Sequence, residues 1–174
     1  MIQEANISGD KMESTEINSG NRVKVGLVQI NNSFSGAEYF PYSVGLLQAY
    51  VQKYAKCPER FDFLLPVYTR LPVELAVEQL LDADIVGFST YVWNIRLSLE
   101  IARQLKERKP EVLIVFGGPQ VPDRAEDFIK KYPFIDLACH GEAERVFLNL
   151  LEAYPSTSWA ESDLDSVSFL DVDG

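Results

Sequence analysis

The sequence predicts an α/β fold in which a doubly wound parallel sheet carries helices on both faces. From Val23 onward, five short apolar runs alternate with five segments of helical spacing. The runs are rich in Val, Ile, Leu and Phe and lack strict alternation, which is typical of strands covered on both sides. Such alternation with short connections predicts a parallel sheet, and a chain of 174 residues suits one domain of this kind.

The predicted strands and helices follow one another in a regular order. Leu47, Val51 and Tyr54 show the i, i+4, i+7 spacing of the first helix, and similar stripes recur in the four later segments. For five strands we expect the flavodoxin-like (Rossmann-like) strand order 2-1-3-4-5. The predicted strands are 23–30, 61–66, 84–89, 112–116 and 135–139, and the helical stripes lie within 47–54, 73–80, 97–105, 125–132 and 147–154.

Both ends of the chain differ from this central domain. Residues 1–21 are polar and aperiodic, so we expect a disordered leader there, followed by the α/β domain over 22–154. The helical pattern stops after Tyr154, and 155–174 is expected to be a linker at the start of a missing further region. Its last seven residues, SFLDVDG, predict a lone extended segment with nothing to pair with.

The net charge of −10 lies mainly at the two ends. Residues 21–145 hold 15 Lys and Arg against 16 Asp and Glu, so the central domain is nearly neutral. Nucleic acids and anionic membranes are bound by a basic face, which this domain lacks. We therefore predict no nucleic-acid partner and no membrane partner, and no apolar run reaches the length of a membrane-spanning helix.

The chain has one histidine, His140, and two cysteines, Cys57 and Cys139. This set is too small for a self-sufficient metal centre or for a histidine-assisted nucleophile, so we predict no metal ligands and no catalytic residues. The N-terminus lacks the pattern of a secretory signal, which predicts a cytoplasmic protein with free thiols.

A ligand is expected at the carboxyl edge of the sheet, between the first and third predicted strands, where the strand order reverses. The first loop at this edge, 31–42, is long and aromatic. Phe34, Tyr39, Phe40 and Tyr42 form an apolar lid over a planar ligand, or else two of them pack on the first helix. The loop lacks the glycine-rich motifs that bind phosphate, so a nucleotide is not expected there.

The loop after the third predicted strand also allows two interpretations. Ser89 or Thr90 would serve as an ordinary helix cap. Tyr91 and Trp93 are harder to explain as caps, because large amphipathic aromatic residues beside a cleft offer flat apolar contact with a polar tip.

Two further loops at the same edge contain glycine. Gly117 and Gly118 permit either a tight turn or the close approach of a ligand. Gly141 suits a turn, and the Glu142 and Glu144 carboxylates suit the first turn of the helix that follows. At Gly118 we expect a permissive backbone conformation, with the missing Cβ serving ligand approach.

Three segments at these positions resemble a known family. They are VGFSTY at 86–91, FGGPQ at 116–120 and DLACHGEAE at 136–144. As an ordered set they are similar to the cobalamin-binding domain that precedes the radical-SAM core in a large enzyme superfamily, and the resemblance runs from Val23 to Tyr154. Cobalamin-binding domains at large share DxHxxG, then SxL, then GG. The first element is missing here, where the loop offers Asn31 and Asn32.

The resemblance implies that the chain binds cobalamin without a histidine ligand on its lower face. Tyr91, Val92, Trp93 and Asn94 would lie under the corrin, and the region of Ser89, Gly117 and Gly118 would accept the nucleotide tail. His140 would be structural. The full set of candidate cofactor-binding residues is Phe40, Tyr42, Ser89, Thr90, Tyr91, Val92, Trp93, Asn94, Gly117, Gly118, Pro119, Gln120, Gly141 and Glu142.

The same resemblance implies a radical-SAM barrel as the missing partner, with S-adenosylmethionine and a four-iron four-sulfur cluster only there. The implied activity is methyl transfer from methylcobalamin to an unactivated carbon. The alternative is a flavodoxin-like module that no longer binds cobalamin and serves as an interaction domain of a radical-SAM iron-sulfur protein.

Overall fold

A computed structural model describes residues 22–155, residue 159 and residues 166–170. The predicted leader, 1–21, and most of the predicted linker lie outside these residues. The strands are β1 (Val23–Val28), β2 (Ser33–Phe34), β3 (Ala37–Glu38), β4 (Phe61–Phe63), β5 (Ile85–Ser89), β6 (Leu113–Gly117), β7 (Leu137–Cys139) and β8 (Val167–Ser168). The helices are α1 (Tyr42–Tyr54), α2 (Val73–Leu80), α3 (Ile95–Arg108), α4 (Glu126–Lys131) and α5 (Ala143–Ala153), with a short 3-10 turn at Pro58–Arg60.

Five parallel strands form the main sheet in the order β4-β1-β5-β6-β7. In chain order these strands are the second, first, third, fourth and fifth, so the predicted order 2-1-3-4-5 is confirmed. The strand order reverses between β1 and β5, where Val25 pairs with Ile85 and Val28 with Phe88. A crevice is expected beyond the carboxyl ends of these two strands, because their following helices leave on opposite faces of the sheet.

The sheet also contains a sixth strand that the sequence analysis did not predict. Val167 and Ser168 pair in antiparallel register with Cys139 and Ala138. The expectation of a lone, unpaired segment is therefore wrong for these two residues, although residues 171–174 lie outside the described residues. An edge strand offers a row of free backbone N–H and C=O groups, so a segment that returns to the β7 edge can pair there.

Helices cover both faces because successive strand residues point to opposite sides. In β6, Leu113 and Val115 belong to the core formed with α1 and α5, whereas Ile114 and Phe116 belong to the core formed with α2, α3 and α4. The period-2 geometry of a strand divides its side chains in this way. The longest described helix, α3, has 14 residues, and no helix in the described part of the chain is long and apolar enough to cross a membrane.

The loop after β1 contains a small antiparallel hairpin, β2 with β3, instead of irregular backbone alone. Ser35 and Gly36 form its turn with positive φ values of 53° and 78°. Two successive positive φ values are typical of the tight turns that match the twist of a hairpin. The hairpin lies in the segment where the sequence predicts a functional loop.

Aspartates at the amino edge of the sheet hold neighbouring strands together. The Asp84 carboxylate accepts a hydrogen bond from the Lys24 N–H at 2.8 Å, and the Asp136 carboxylate accepts one from the Ile114 N–H at 2.7 Å. Lys106 Nζ also donates to both oxygens of Asp136 at 2.9 and 2.8 Å. Hydrogen bonds with an ionised partner are stronger than neutral ones, so these contacts stabilise the register of the sheet.

We predict that Asp136→Ala lowers the free energy of unfolding by about 2 kcal/mol, because a partly buried ammonium and a strand N–H lose their acceptor. Urea unfolding followed by circular dichroism measures this change. The control is Asp82→Ala, which removes a surface ion pair with Lys24 and should alter the stability little. Equal losses in the two variants would contradict the assigned role of Asp136.

Candidate functional site

A cavity of about 220 Å³ opens at the carboxyl edge of the sheet, between α1 and α5. We call it the inner cavity. Residues from β5, β6, β7 and the first turns of the two helices contribute to its wall. They are Ser43, Leu47, Gly87, Phe88, Ser89, Tyr91, Val115, Gly117, Gly118, Pro119, Cys139, Gly141, Glu142, Ala143, Glu144 and Phe147.

The buried part of the inner cavity is apolar. Phe88, Val115 and Phe147 are each no more than 3% exposed. Cys139 is buried beside them, and this burial raises the pKa of its thiol to about 12, so the thiol stays neutral at pH 7. An apolar interior that excludes charge suits a flat, uncharged ring better than a phosphate.

The exposed part of the inner cavity is polar. Glu142 is the residue before α5, and its side chain makes no capping hydrogen bond to the helix. Glu142 is exposed at the wall of the cavity. Gly141 precedes Glu142 and has a φ of +66°. This left-handed turn conformation favours glycine, so no ligand is needed to explain the residue.

Tyr91 and Trp93 form a stacked pair beside this cavity. Their ring centroids lie 4.6 Å apart with an interplanar angle of 5°. Tyr91 Oη and Ser43 Oγ are hydrogen bonded at 2.7 Å, which joins the loop after β5 to the start of α1. The Trp93 side chain remains 43% exposed, so one large ring face is available to a ligand.

A second cavity of about 370 Å³ lies next to Trp93, and we call it the outer cavity. Its wall combines three carboxamide side chains with three aromatic rings. The lining residues are Gln29, Asn31, Asn32, Tyr39, Phe40 and Trp93. Tyr91 lines the inner cavity and Trp93 the outer one, so the stacked pair separates the two.

Several residues that line the two cavities were not among the site residues predicted from the sequence. Gln29 was not singled out, nor were Ser43, Leu47 and Phe147. One signal for Gln29 was present, since the apolar run 25–28 is followed by Gln29 and Asn31, spaced two apart as on one face of a strand. The cavity residues on α1 and α5 could not be recognised in the sequence, because their spacing is equally that of ordinary core positions.

Asn94 was predicted to lie under a ligand, and the structure places its side chain elsewhere. It is 1% exposed, and its Nδ2 donates to the Ile30 and Ser89 carbonyl oxygens, each at 3.1 Å. Its Oδ1 accepts from the Tyr91 N–H at 2.7 Å. The side chain therefore joins β1 to β5 and shapes the Tyr91 turn, and it offers no surface to a ligand.

Thr90 is also buried rather than ligand-facing. Its side chain is fully covered, and its Oγ1 donates to the Gly117 carbonyl oxygen at 2.8 Å. The Thr90 carbonyl oxygen in turn accepts from the Gln120 N–H at 3.3 Å. Thr90 thus fixes the distance between the β5 and β6 loops.

Gly118 corrects our expectation of a permissive backbone. Its φ is +96°, and a Cβ at this position would lie 2.7 Å from the Thr90 carbonyl oxygen and 2.9 Å from the Thr90 nitrogen. Both the left-handed conformation and the close Thr90 backbone exclude a side chain. The backbone conformation of the cavity wall therefore requires glycine at position 118, independently of any ligand.

We predict that Gly118→Ala lowers the free energy of unfolding by about 2 kcal/mol or more, because strain in φ adds to the steric conflict. Thermal and urea unfolding measure the effect. Gly117→Ala is the matched control, since a Cβ there would meet Cys139 only at an ordinary 3.8 Å and should cost far less. A Gly118→Ala protein as stable as Gly117→Ala would disprove this explanation.

The other candidates from the sequence differ in their placement. Phe40 is 76% exposed and lines the outer cavity, and Pro119 lines the inner one. Tyr42 and Val92 are 68% and 74% exposed at the same edge without lining either cavity. The side chain of Phe34, expected in an aromatic lid, lies outside the described residues.

His140 lines neither of the two cavities. Its Nε2 and Ser168 Oγ are 2.8 Å apart, and its backbone N–H donates to the Ser166 carbonyl oxygen at 2.9 Å. Both contacts connect β7 to the β8 segment. Within the described residues, Nδ1 is buried without a hydrogen-bond partner.

Part of this chain is similar to known protein families. Residues 67–151 match the family model described as B12 binding domain. The chain is 39% identical over 113 residues to the cobalamin-dependent radical SAM methyltransferase TokK of Streptomyces tokunonensis. It is equally similar to the 2-(S-pantetheinyl)-carbapenam-3-carboxylate methyltransferase of Streptantibioticus cattleyicolor. Each alignment covers 65% of this chain and 17% of the relative, so the chain spans only a small part of either protein.

More distant relatives extend the comparison. The anaerobic magnesium-protoporphyrin IX monomethyl ester cyclase of Cereibacter sphaeroides is 30% identical over 95 residues, covering 53% of this chain and 16% of the cyclase. The solved structure of the cobalamin-dependent S-adenosylmethionine radical enzyme OxsB superposes with a TM-score of 0.61 at 20% identity, over 88% of this chain and 21% of that one, which shows a shared fold. Residues 67–151 therefore resemble a B12 binding domain, and the chain is similar in sequence to the cobalamin-dependent radical SAM methyltransferase TokK and shares the fold of OxsB.

Proposed function

We propose that this chain is the cobalamin-binding part of a radical SAM methyltransferase that acts on an unactivated carbon. The observation that carries the proposal is the inner cavity, an apolar recess at the strand-order reversal whose wall is built mainly from the segment that matches the B12 binding domain. In this proposal the inner cavity accepts the aromatic base of the nucleotide tail, and the corrin lies across the Tyr91 and Trp93 pair.

The residues present fit such a cofactor. Gly87 and Gly117 leave parts of the inner cavity wall without side chains, and a Cβ at Gly87 would come within 3.2 Å of Phe147. The buried wall is apolar, as an uncharged aromatic base requires. Ser43, Ser89 and Glu142 add polar groups that suit the hydroxyl groups of the tail.

The exposed aromatic and aliphatic residues at this edge support the position of the corrin. Phe40, Val92 and Trp93 lie on loops and Tyr42 at the start of α1, and these four residues are 43 to 76% exposed at this edge. Contiguous exposed apolar groups of this kind mark a surface that is covered by a ligand or another domain. We propose that the corrin covers Trp93 and that the radical-SAM barrel covers the exposed residues that the corrin leaves uncovered.

We propose further that no histidine reaches the lower face of the corrin. His140 is the one histidine of the chain, it lines neither cavity, and its Nε2 is hydrogen bonded to Ser168 Oγ. When bound in its methylated form, the cofactor supplies the methyl group. The chain's own residues bind and orient it, and Tyr91 and Trp93 shield the face turned toward the protein.

S-adenosylmethionine and a four-iron four-sulfur cluster belong, in this proposal, to the remainder of the protein. The radical SAM methyltransferase TokK, of whose length this chain covers only 17%, supports that division. We also place the protein in the cytoplasm, which the two free cysteines, exposed Cys57 and buried Cys139, support.

Filling the inner cavity should weaken cobalamin binding. Ala143 lines this cavity in the first turn of α5, and Ala143→Leu is expected to reduce the affinity for hydroxocobalamin tenfold or more. Titration followed by the visible corrin spectrum gives the affinity. Ala49→Leu makes the same exchange at an exposed position of α1 and should bind as the unaltered protein does.

Two results of this titration would count against the proposal. Equal affinities for the Ala143→Leu and Ala49→Leu variants would remove the inner cavity as the tail site. A folded, unaltered protein that leaves the corrin spectrum unchanged at millimolar cobalamin would reject cobalamin binding by this chain and favour the interaction-domain alternative.

The absence of a histidine ligand is tested separately. His140→Ala should leave the visible spectrum of bound cob(III)alamin unchanged, because the imidazole is expected to be far from cobalt. Ser168→Ala is the control, since it breaks the same hydrogen bond and keeps the imidazole. A spectral shift with His140→Ala but not with Ser168→Ala would identify His140 as a cobalt ligand and overturn this part of the proposal.

A further inference from the structure

The outer cavity has a hydrogen-bonding pattern that the function described above does not use. Three of its lining residues, Gln29, Asn31 and Asn32, carry carboxamides. Gln29 and Asn31 are each only 6% exposed, which is unusual for polar side chains at the wall of an open cavity. Each carboxamide has two chemically different ends, a carbonyl oxygen that accepts and an NH₂ group that donates.

One end of each carboxamide is held by the protein. Gln29 Oε1 accepts from the Val44 N–H at 3.2 Å, and Asn31 Nδ2 donates to the Tyr39 carbonyl oxygen at 3.2 Å. Asn32 Oδ1 accepts from Arg70 Nε at 3.0 Å. A backbone N–H and a guanidinium can only donate and a carbonyl oxygen can only accept, so these partners determine which end of each amide is which.

The opposite ends have no hydrogen-bond partner among the described residues. They are Nε2 of Gln29, Oδ1 of Asn31 and Nδ2 of Asn32, which form a set of two donors and one acceptor at a single cavity. A primary carboxamide on a ligand, with one acceptor oxygen and two donor hydrogens, complements this set. A carboxylate does not, because it has no hydrogen to offer the Asn31 oxygen.

We infer that the outer cavity binds the primary carboxamide side chains on the rim of the corrin, with Gln29, Asn31 and Asn32 as its specificity-determining residues. This inference rests on the proposed function. Tyr39, Phe40 and Trp93 line the same cavity and contact the apolar part of the rim. Trp93 stacks on Tyr91, which lines the inner cavity, so one ligand can occupy both cavities with its base in one and its ring edge at the other.

Asn32→Asp is the sharpest test, because it removes the free donor of one amide while the contact with Arg70 can persist. The variant keeps the oxygen that accepts from Arg70, replaces the free NH₂ donor by an acceptor, and lies at an exposed position that tolerates the new charge. Asn149→Asp on the exposed side of α5 is the matched control, with the same exchange and the same added charge. Circular dichroism melts verify that both variants are folded.

The two ligands are cobalamin and dicyanocobinamide, which keeps the corrin carboxamides and lacks the nucleotide base. We expect the unaltered chain to bind both, and Asn32→Asp to weaken both by the same factor, about fivefold or more. Asn149→Asp should weaken neither. Equilibrium dialysis with detection by visible absorbance gives the six affinities, of three proteins for two ligands, and needs no enzymatic activity.

The remaining outcomes separate this inference from the proposed function. If cobalamin binds but cobinamide does not, or if Asn32→Asp binds both as tightly as Asn149→Asp, the outer cavity does not recognise the corrin amides and the inference is overturned while the proposed function stands. If the folded, unaltered chain binds neither ligand, the proposed function fails and the inference fails with it.

Discussion

The buried carboxamide of Asn94 joins the carboxyl ends of β1 and β5, and both cavities depend on that junction. Adjacent parallel strands separate at the point of strand-order reversal, and their last carbonyl groups then lose regular partners. Asn94 donates to the Ile30 and Ser89 carbonyl oxygens and accepts from the Tyr91 N–H. Buried backbone groups without partners are costly, so one side chain that satisfies three of them keeps the crevice open and defined.

The loop after β5 takes its shape from this junction. The Asn94 oxygen holds the Tyr91 N–H, and Tyr91 is held further by Ser43 from α1. Trp93 stacks on the Tyr91 ring, and its carbonyl oxygen accepts from Arg70 at 2.6 Å. The stacked pair is therefore fixed from three sides before any ligand binds, which reduces the entropy lost when a ligand covers it.

The two cavities on either side of this pair have opposite chemistry for a topological reason. The inner cavity is bounded by β5, β6 and β7, whose buried residues are apolar except for Ser89, and Thr90 and Gly118 hold two of its loops in close contact. The outer cavity lies beyond the end of β1, where a long loop supplies polar residues and rings. A ligand with an apolar aromatic part and an amide-rich part would match this division.

The strand order could be predicted from the sequence, and so could the sheet edge at which both cavities open, because both follow from local signals. Apolar runs and helical stripes identify the elements, and the rules of parallel sheets then place Ser89, Tyr91 and Gly117 together. Features that depend on contacts between distant segments became visible only in the folded structure. Asn94 reaches Ile30 across 64 positions, and the Thr90 backbone approaches Gly118 from another strand. Likewise, β8 pairs with an edge that its own residues do not specify. Such contacts are set by the packing of whole elements, so neither residue type nor spacing along the chain could predict them.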